Sequence, residues 1–277
     1  MKRLPAALAL LLSCAAWAQT PPRTAKVYDK IEQSSNWKLC PGPCAGGVQP
    51  ISYSVNLNQS WPSRDGNSTG LYVKGSAWTD VLFIRELGAY NSASNFQSDF
   101  FFYVSGTADR IGQAVEFDTF QFINTVPGAP GPVEFMWGTQ CDYSQNGGVW
   151  DIWDQDLAQW MPMYNMPCVN PNRSRFKTAV WYRVIWTLHR VPPGLNLPYG
   201  GMAFDSVRIV EYAGSNGSVS SDHTYNPNSV QRAGPLPTGW SDQLGVQFQI
   251  DLNGNANTSG YPNSITEWVD KVKLSAW

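Results

Sequence analysis

Val246-Gln247-Phe248-Gln249-Ile250-Asp251-Leu252 alternates apolar and polar residues without a break. Successive side chains of a strand point to opposite faces, so Val246, Phe248, Ile250 and Leu252 face a core while Gln247, Gln249 and Asp251 face outward. A solvated outer face ordinarily carries Lys, Glu and Thr. Short amides and a carboxylate in their place suit a ligand rich in hydroxyls. The stretch Thr266-Glu267-Trp268-Val269-Asp270-Lys271-Val272-Lys273-Leu274 also alternates and reads as a paired strand. Further strands are expected at 71–73, 81–86, 96–104, 114–122, 133–139, 149–154, 181–189 and 202–212, with the two above extending over 245–252 and 266–276. Residues 213–243, punctuated by Asn216-Gly217, Pro227, Pro235 and Pro237, read as a long loop region. About ten strands with no repeat and almost no helical periodicity point to an all-β antiparallel sandwich, or jelly roll, in one domain over 19–277.

Composition narrows the function classes. Charged residues make up 14% of the 277, against about 25% in an ordinary soluble domain. The formal charge of -2 gives no basic surplus for nucleic acid. With 43% hydrophobic residues, including 13 Trp, 12 Tyr and 12 Phe, the chain has ample apolar surface to offset the entropy of ordering. Lys2 and Arg3, the apolar run from Leu4 to Leu12 and the small-x-small end Ala16-Trp17-Ala18 read as a secretory signal over 1–18. Acylation at Cys14 is the competing reading of the same segment. No later stretch approaches the ~20 apolar residues of a membrane-spanning helix. Secretion to the periplasm or beyond is therefore expected, with four cysteines left in the mature chain. Even numbers in exported chains read as disulfides, and Cys40-Pro-Gly-Pro-Cys44 is a tight turn that holds its own ends together. The expected pairs are Cys40–Cys44 and Cys141–Cys168; a zinc site from the same thiols lacks companion His at ligand spacing.

Besides the Gln247–Asp251 face, two stretches carry candidate chemistry. In Ala114-Val115-Glu116-Phe117-Asp118-Thr119-Phe120, the period of two places Glu116, Asp118 and Phe120 on one face. Trp150-Asp151-Ile152-Trp153-Asp154-Gln155 follows Trp137-Gly138-Thr139-Gln140 and precedes Trp160. Indole rings stack on the C–H faces of sugars, and neighbouring Asp and Gln take hydroxyls in pairs. Each Trp alone is at home in a core; the cluster reads as a glycan surface. His189 shares a face with Arg183, Ile185 and Thr187 and is either a catalytic base or a structural strand-end histidine. His223, in a polar segment, reads as a solvated loop residue. Arg85 reads as half of an ion pair or as an anchor for an acidic sugar. Asp251-Leu-Asn253-Gly-Asn255 lacks the glycine and distal Glu of a helix-loop-helix calcium loop. No cofactor is required; a structural calcium is expected at Asp29 and Asp270 only if their strands meet.

Glu116-Phe-Asp118, the Trp/Asp cluster and the closing Glu267-Trp-Val-Asp270-Lys-Val-Lys-Leu strand resemble the concanavalin A-like lectin/glucanase superfamily. The chain is also similar, over most of 28–277, to secreted bacterial proteins sharing Gly138-Thr-Gln-Cys141, Trp150-Asp-Ile-Trp153-Asp154 and Gly245-Val-Gln247-Phe-Gln249-Ile-Asp251. Laminarinase-type hydrolases of the superfamily carry Glu-x-Asp-x-Glu, or a bulged Glu-x-Asp-x-x-Glu, as nucleophile, helper and general acid/base. The resemblance implies Glu116 as nucleophile beside Asp118, but the third position is Phe120 or Gln121, neither of which can protonate a leaving oxygen. Glu134, Asp151 or Asp154 would have to replace it. Jelly-roll polysaccharide lyases imply instead a group drawn from Arg85, Tyr103, His189, Gln247 and Gln249. The reading that unites these residues is a monomer that binds a polysaccharide, neutral rather than acidic, in a concave cleft. Its expected lining is Glu116, Asp118, Gln140, Trp150, Asp151, Trp153, Asp154, Gln247 and Gln249, with Trp137 and Arg85 as further contacts. Cleavage by hydrolysis or elimination, and adhesion to a protein through the Trp-rich face, are the alternatives.

Overall fold

The computed structural model describes residues 20–106, 108–142, 147–214, 217–261 and 263–277. The segment read as an export signal, with Cys14, lies outside them. Eighteen strands follow in chain order: β1 (Lys26–Tyr28), β2 (Lys38–Pro41), β3 (Ser52–Gln59), β4 (Ser68–Lys74), β5 (Asp80–Gly88), β6 (Asn95–Val104), β7 (Gly112–Ile123), β8 (Val133–Trp137) and β9 (Thr139–Asp142). The second half carries β10 (Val149–Asp154), β11 (Gln159–Pro167), β12 (Trp181–Val191), β13 (Gly201–Tyr212), β14 (Val219–Tyr225), β15 (Ser229–Arg232), β16 (Gly234–Pro235), β17 (Gln243–Leu252) and β18 (Ser264–Ala276). They form two antiparallel sheets packed as a sandwich. The back sheet runs β14-β13-β12-β6-β18-β4-β3, with β1 on β18 and β15 on β13. The front sheet runs β11-β10-β9-β7-β17-β5-β2, with β8 on β7 and β16 on β8.

Alternation explains what fills the space between the sheets. Phe117 on β7 and Phe248 on β17 turn inward and meet Phe100 from β6, with ring centroids 4.5 and 5.5 Å from it. Trp150 from the front sheet meets Trp186 from the back edge to face, 5.4 Å apart. Such pairs add about 0.5–1.5 kcal/mol each beyond the area they bury. Trp137 and Trp150 are fully buried here, which corrects their expected place on the ligand surface: both sit on the inward phase of their strands. The two disulfides form as expected, Cys40–Cys44 with Cα atoms 5.3 Å apart and Cys141–Cys168 with 5.6 Å. No helix among the described residues is long and apolar enough to cross a membrane.

Two other expectations are corrected. The region 213–243 holds β14, β15 and β16; β14 pairs along β13 at the sheet edge, where a polar sequence is tolerated on both faces. The closing strand does not alternate throughout. Lys271 takes φ 52° and the register slips between Asp270 and Lys273, so Val269 and Val272 both turn inward across a bulge. Glu267 lies on the buried side with Ile265 and Val269, and burial holds its carboxyl well above the usual range. Asp270, half of the expected calcium pair, has hydrogen-bond partners of its own. Asp270 Oδ2 accepts from Ser63 Oγ and the Arg64 amide. No group of three or more His, Cys, Asp or Glu among the described residues is placed to hold an ion.

Candidate functional site

Strand pairing carries the outward residues of the front sheet into rows. Asp151, Gln140, Glu116 and Gln249 lie opposite one another across β10, β9, β7 and β17. The next row runs from Trp160 and Trp153, paired across β11 and β10, to Asp118 and Gln247, paired across β7 and β17. Gly138 lies between Trp153 and Asp118. A Cβ there would stand 2.6 Å from Trp153 Cβ, 3.3 Å from the Trp160 ring and 3.4 Å from Asp118 Oδ1, so glycine is what allows the indoles to close over the floor. Trp153 and Trp160 meet at 5.2 Å between centroids. Above these rows lies a cleft of two adjoining lobes, about 210 and 360 Å³, that share Ala45, Glu116, Trp160 and Gln249.

The opposite wall comes from the loop after β2. The amides of Ala45, Gly46 and Gly47 converge on the Gly42 carbonyl at 2.8 to 3.1 Å, and the Cys40–Cys44 bridge ties that turn to the sheet. Cys44 and Ala45 thereby line the larger lobe. At the far end of the smaller lobe stands Trp78, half-exposed, with φ 63°.

The floor is acidic and lacks cations. Asp118 accepts from the Thr139 amide at 2.9 Å and from Gln247 Nε2 at 2.6 Å. Gln140 Nε2 donates to Asp151 at 3.0 Å, and Gln249 Nε2 to Asp251 at 2.7 Å. Burial pushes Asp118 up to about 6 and Asp251 up to about 7. Glu116, also buried and hydrogen-bonded to Asp118, is held well above the ordinary carboxyl range, first by burial and then by the charges of Asp118 and Asp251. Asp80 rises to about 6 and Glu134 to about 7, both through burial. No Lys, Arg or His is among the described residues lining either lobe. With no cation to hold the carboxylates ionised, burial makes the floor bind protons more tightly than free carboxyls do.

The expected site residues therefore divide. Glu116, Asp118, Gln140, Trp153, Gln247 and Gln249 line the cleft, and Asp151 lies buried beneath Gln140. Asp154 closes a turn instead, accepting from the Leu157 amide and from Arg232. Arg85 shares the inward phase of β5 with Val81 and Phe83 and donates to the Glu86 carbonyl at 2.7 Å. His189 and Tyr103 lie on the back sheet. His189 Nδ1 sits 2.9 Å from both Asp205 oxygens, so the group a lyase would need is not brought together.

The positions of a third hydrolase carboxylate are also filled. Phe120 packs on Phe122 and Leu236, and Gln121 faces the core, donating to the Tyr90 and Ala93 carbonyls. Glu134 lies opposite Phe122, six residues along β7 from Glu116, which at ~3.3 Å per residue is roughly 20 Å of strand. Asp151 lies two strands across from Glu116, roughly 10 Å at ~4.8 Å per strand. Sequence reasoning missed Trp78, Asp80 and the 44–47 wall. A disulfide turn next to a strand was the one signal that pointed to that wall.

No family model and no curated protein matches this chain. Among solved structures it is similar to an endo-β-1,4-glucuronan lyase from the fungus Trichoderma reesei, with 14% identity over 87% of this chain and 95% of that one and a TM-score of 0.42. It is similar to arcelin-5, a lectin-like defense protein from Phaseolus vulgaris, at 10% identity over 92% and 99% with a TM-score of 0.45. Basic winged bean lectin follows at 10% over 91% and 98%, TM-score 0.44.

Proposed function

We propose that this protein is an exported monomer that binds a neutral polysaccharide in the cleft of the front sheet. The observation that carries the reading is the pairing of a Trp153/Trp160 wall with a floor of amides and proton-holding carboxyls that contains no cation. Indole faces take the apolar side of a sugar ring, and Gln, Asp and protonated Glu donate to and accept from its hydroxyls. An acidic polymer would meet carboxyls and no cation to neutralise it. The cleft, about 210 and 360 Å³ in its two lobes, is sized for a short run of sugar units.

The test is affinity electrophoresis of the purified protein through gels containing neutral glucans, mannans or polygalacturonate. Retardation by a neutral polymer that is lost in Trp160→Ala supports the reading; mobility unchanged by every neutral polymer refutes it. A second reading, hydrolysis, is favoured by one feature: Glu116 keeps its proton beside Asp118. That state fits a proton donor, whereas the nucleophile that the family resemblance implies must be ionised. New reducing ends from wild type but not from Glu116→Gln would establish cleavage. Gel filtration at several concentrations tests the monomer.

A further inference from the structure

The outer face of the back sheet carries a depression of different chemistry. Outward side chains from Lys273 on β18, through Arg183 on β12, to Arg208 on β13 floor a groove of about 600 Å³, and the segment from Thr20 to Ala25 walls it. Short hydroxyls cut the floor low between the long side chains: Thr187, Ser206 and Ser275 are buried and line it. From β18 to β13 the floor crosses three strand spacings, roughly 14 Å at ~4.8 Å each.

Its cations outnumber its anions. Arg183 gives Nε and Nη2 to the two oxygens of Asp99, each at 2.7 Å, and Lys273 Nζ reaches the same carboxylate at 3.1 Å. Arg208 grips Asp222 in the same two-bond fashion at 2.8 and 2.6 Å. Arg23 stands exposed on the wall. A guanidinium is a rigid fork of five N–H donors. The carboxylates take one edge of each fork and fix its orientation, which leaves the Nη1 side for a ligand. In a chain of formal charge -2 this surplus is a separation of charge between faces and not a reflection of composition.

We propose that this groove is a second ligand site, which takes a carboxylate- or sulfate-bearing segment of an acidic polysaccharide. Arg forks match carboxylate and sulfate geometry with paired bonds, and the hydroxyl floor matches sugar hydroxyls. A membrane surface would call for apolar anchors projecting beside the basic groups, whereas this floor is recessed and polar. The site lies on the opposite sheet from the neutral-glycan cleft and stands independently of it.

Calorimetric titration of the purified protein with tetragalacturonate, and with a neutral tetrasaccharide as control, tests it. One saturable event is expected with tetragalacturonate, weakening as salt rises. In the double variant Arg23→Gln/Arg208→Gln, the loss of two charge-assisted contacts lowers the affinity by at least about tenfold. Arg23→Glu alone, on a segment outside every strand, lowers it without touching the sheet. Trp160→Ala leaves it unchanged. Wild-type affinity in both arginine variants overturns the proposal, as does the absence of heat, or loss of the event in Trp160→Ala. Tighter retention on phosphatidylglycerol vesicles than on tetragalacturonate overturns it in favour of a membrane partner.

Discussion

The outer faces of the two sheets are built by the same alternation and end in opposite electrostatic states. On the front, Glu116, Asp118 and Asp251 are buried beside amides with no cation among the described residues lining the cleft, and burial holds all three carboxyls above the ordinary range. On the back, Asp99 and Asp222 are gripped by Arg183 and Arg208, which hold both carboxyls below the ordinary range. Acidic residues on a strand thus carry no fixed meaning. What faces them across the neighbouring strands decides whether they act as neutral hydrogen-bonding groups or as fixed anions.

The comparison breaks most severely at Gly138. Gly138→Val would drive a side chain into Trp153. It should abolish neutral-glycan retardation and lower stability by about 1–3 kcal/mol in urea unfolding, while tetragalacturonate binding on the back sheet survives. Next is Asp99→Asn, which removes the carboxylate shared by Arg183 and Lys273. A loss of about 2 kcal/mol in the same unfolding measurement is expected, with the cleft unaffected.

A pH series sharpens the contrast in state. The front carboxyls bind protons more tightly folded than unfolded, so their contribution is fully present below about pH 4, the unfolded range. It is lost as pH rises toward about 6 for Asp118 and Asp80 and about 7 for Asp251 and Glu134. The back pair, lowered, stabilises above the ordinary Asp range and loses its contribution only as pH falls through it. The melting temperature should therefore decline from about pH 4 to about pH 7, and Asp251→Asn should flatten that decline. The smallest effect is expected from Arg208→Gln, whose partner Asp222 is solvent-exposed. Its cost should be under about 1 kcal/mol.

The sandwich was legible because strands such as β17 carry a period of two, one phase of which is aromatic or aliphatic. That Glu116 and Asp118 share one face, and Gln247 and Gln249 another, followed from the phase of each strand alone; that the two strands are neighbours did not. Trp153 and Trp150 read alike in sequence, and only the packing of the two sheets separates the cleft-lining indole from the buried one. The bulge at Lys271 escaped because a one-residue slip leaves no mark in the pattern except a charge where an apolar residue would fit. Strand β14 escaped because an edge strand with both faces near water needs no alternation. Asp80, Trp78 and the 44–47 wall come from connections, where residues distant in sequence meet without any period to announce them.

The bridge from Cys40 to Cys44 gives the cleft a chemical checkpoint. It ties down the turn whose next residues form a wall over Glu116 and Gln249. That wall is fastened by an oxidation and not by packing alone. Molecules made in a reducing cytosol would carry the sheet, the indoles and the acid floor, but with an unfastened side. Under the proposed function, holding a sugar chain would then require that this turn has met an oxidising environment, and not only that the fold is complete.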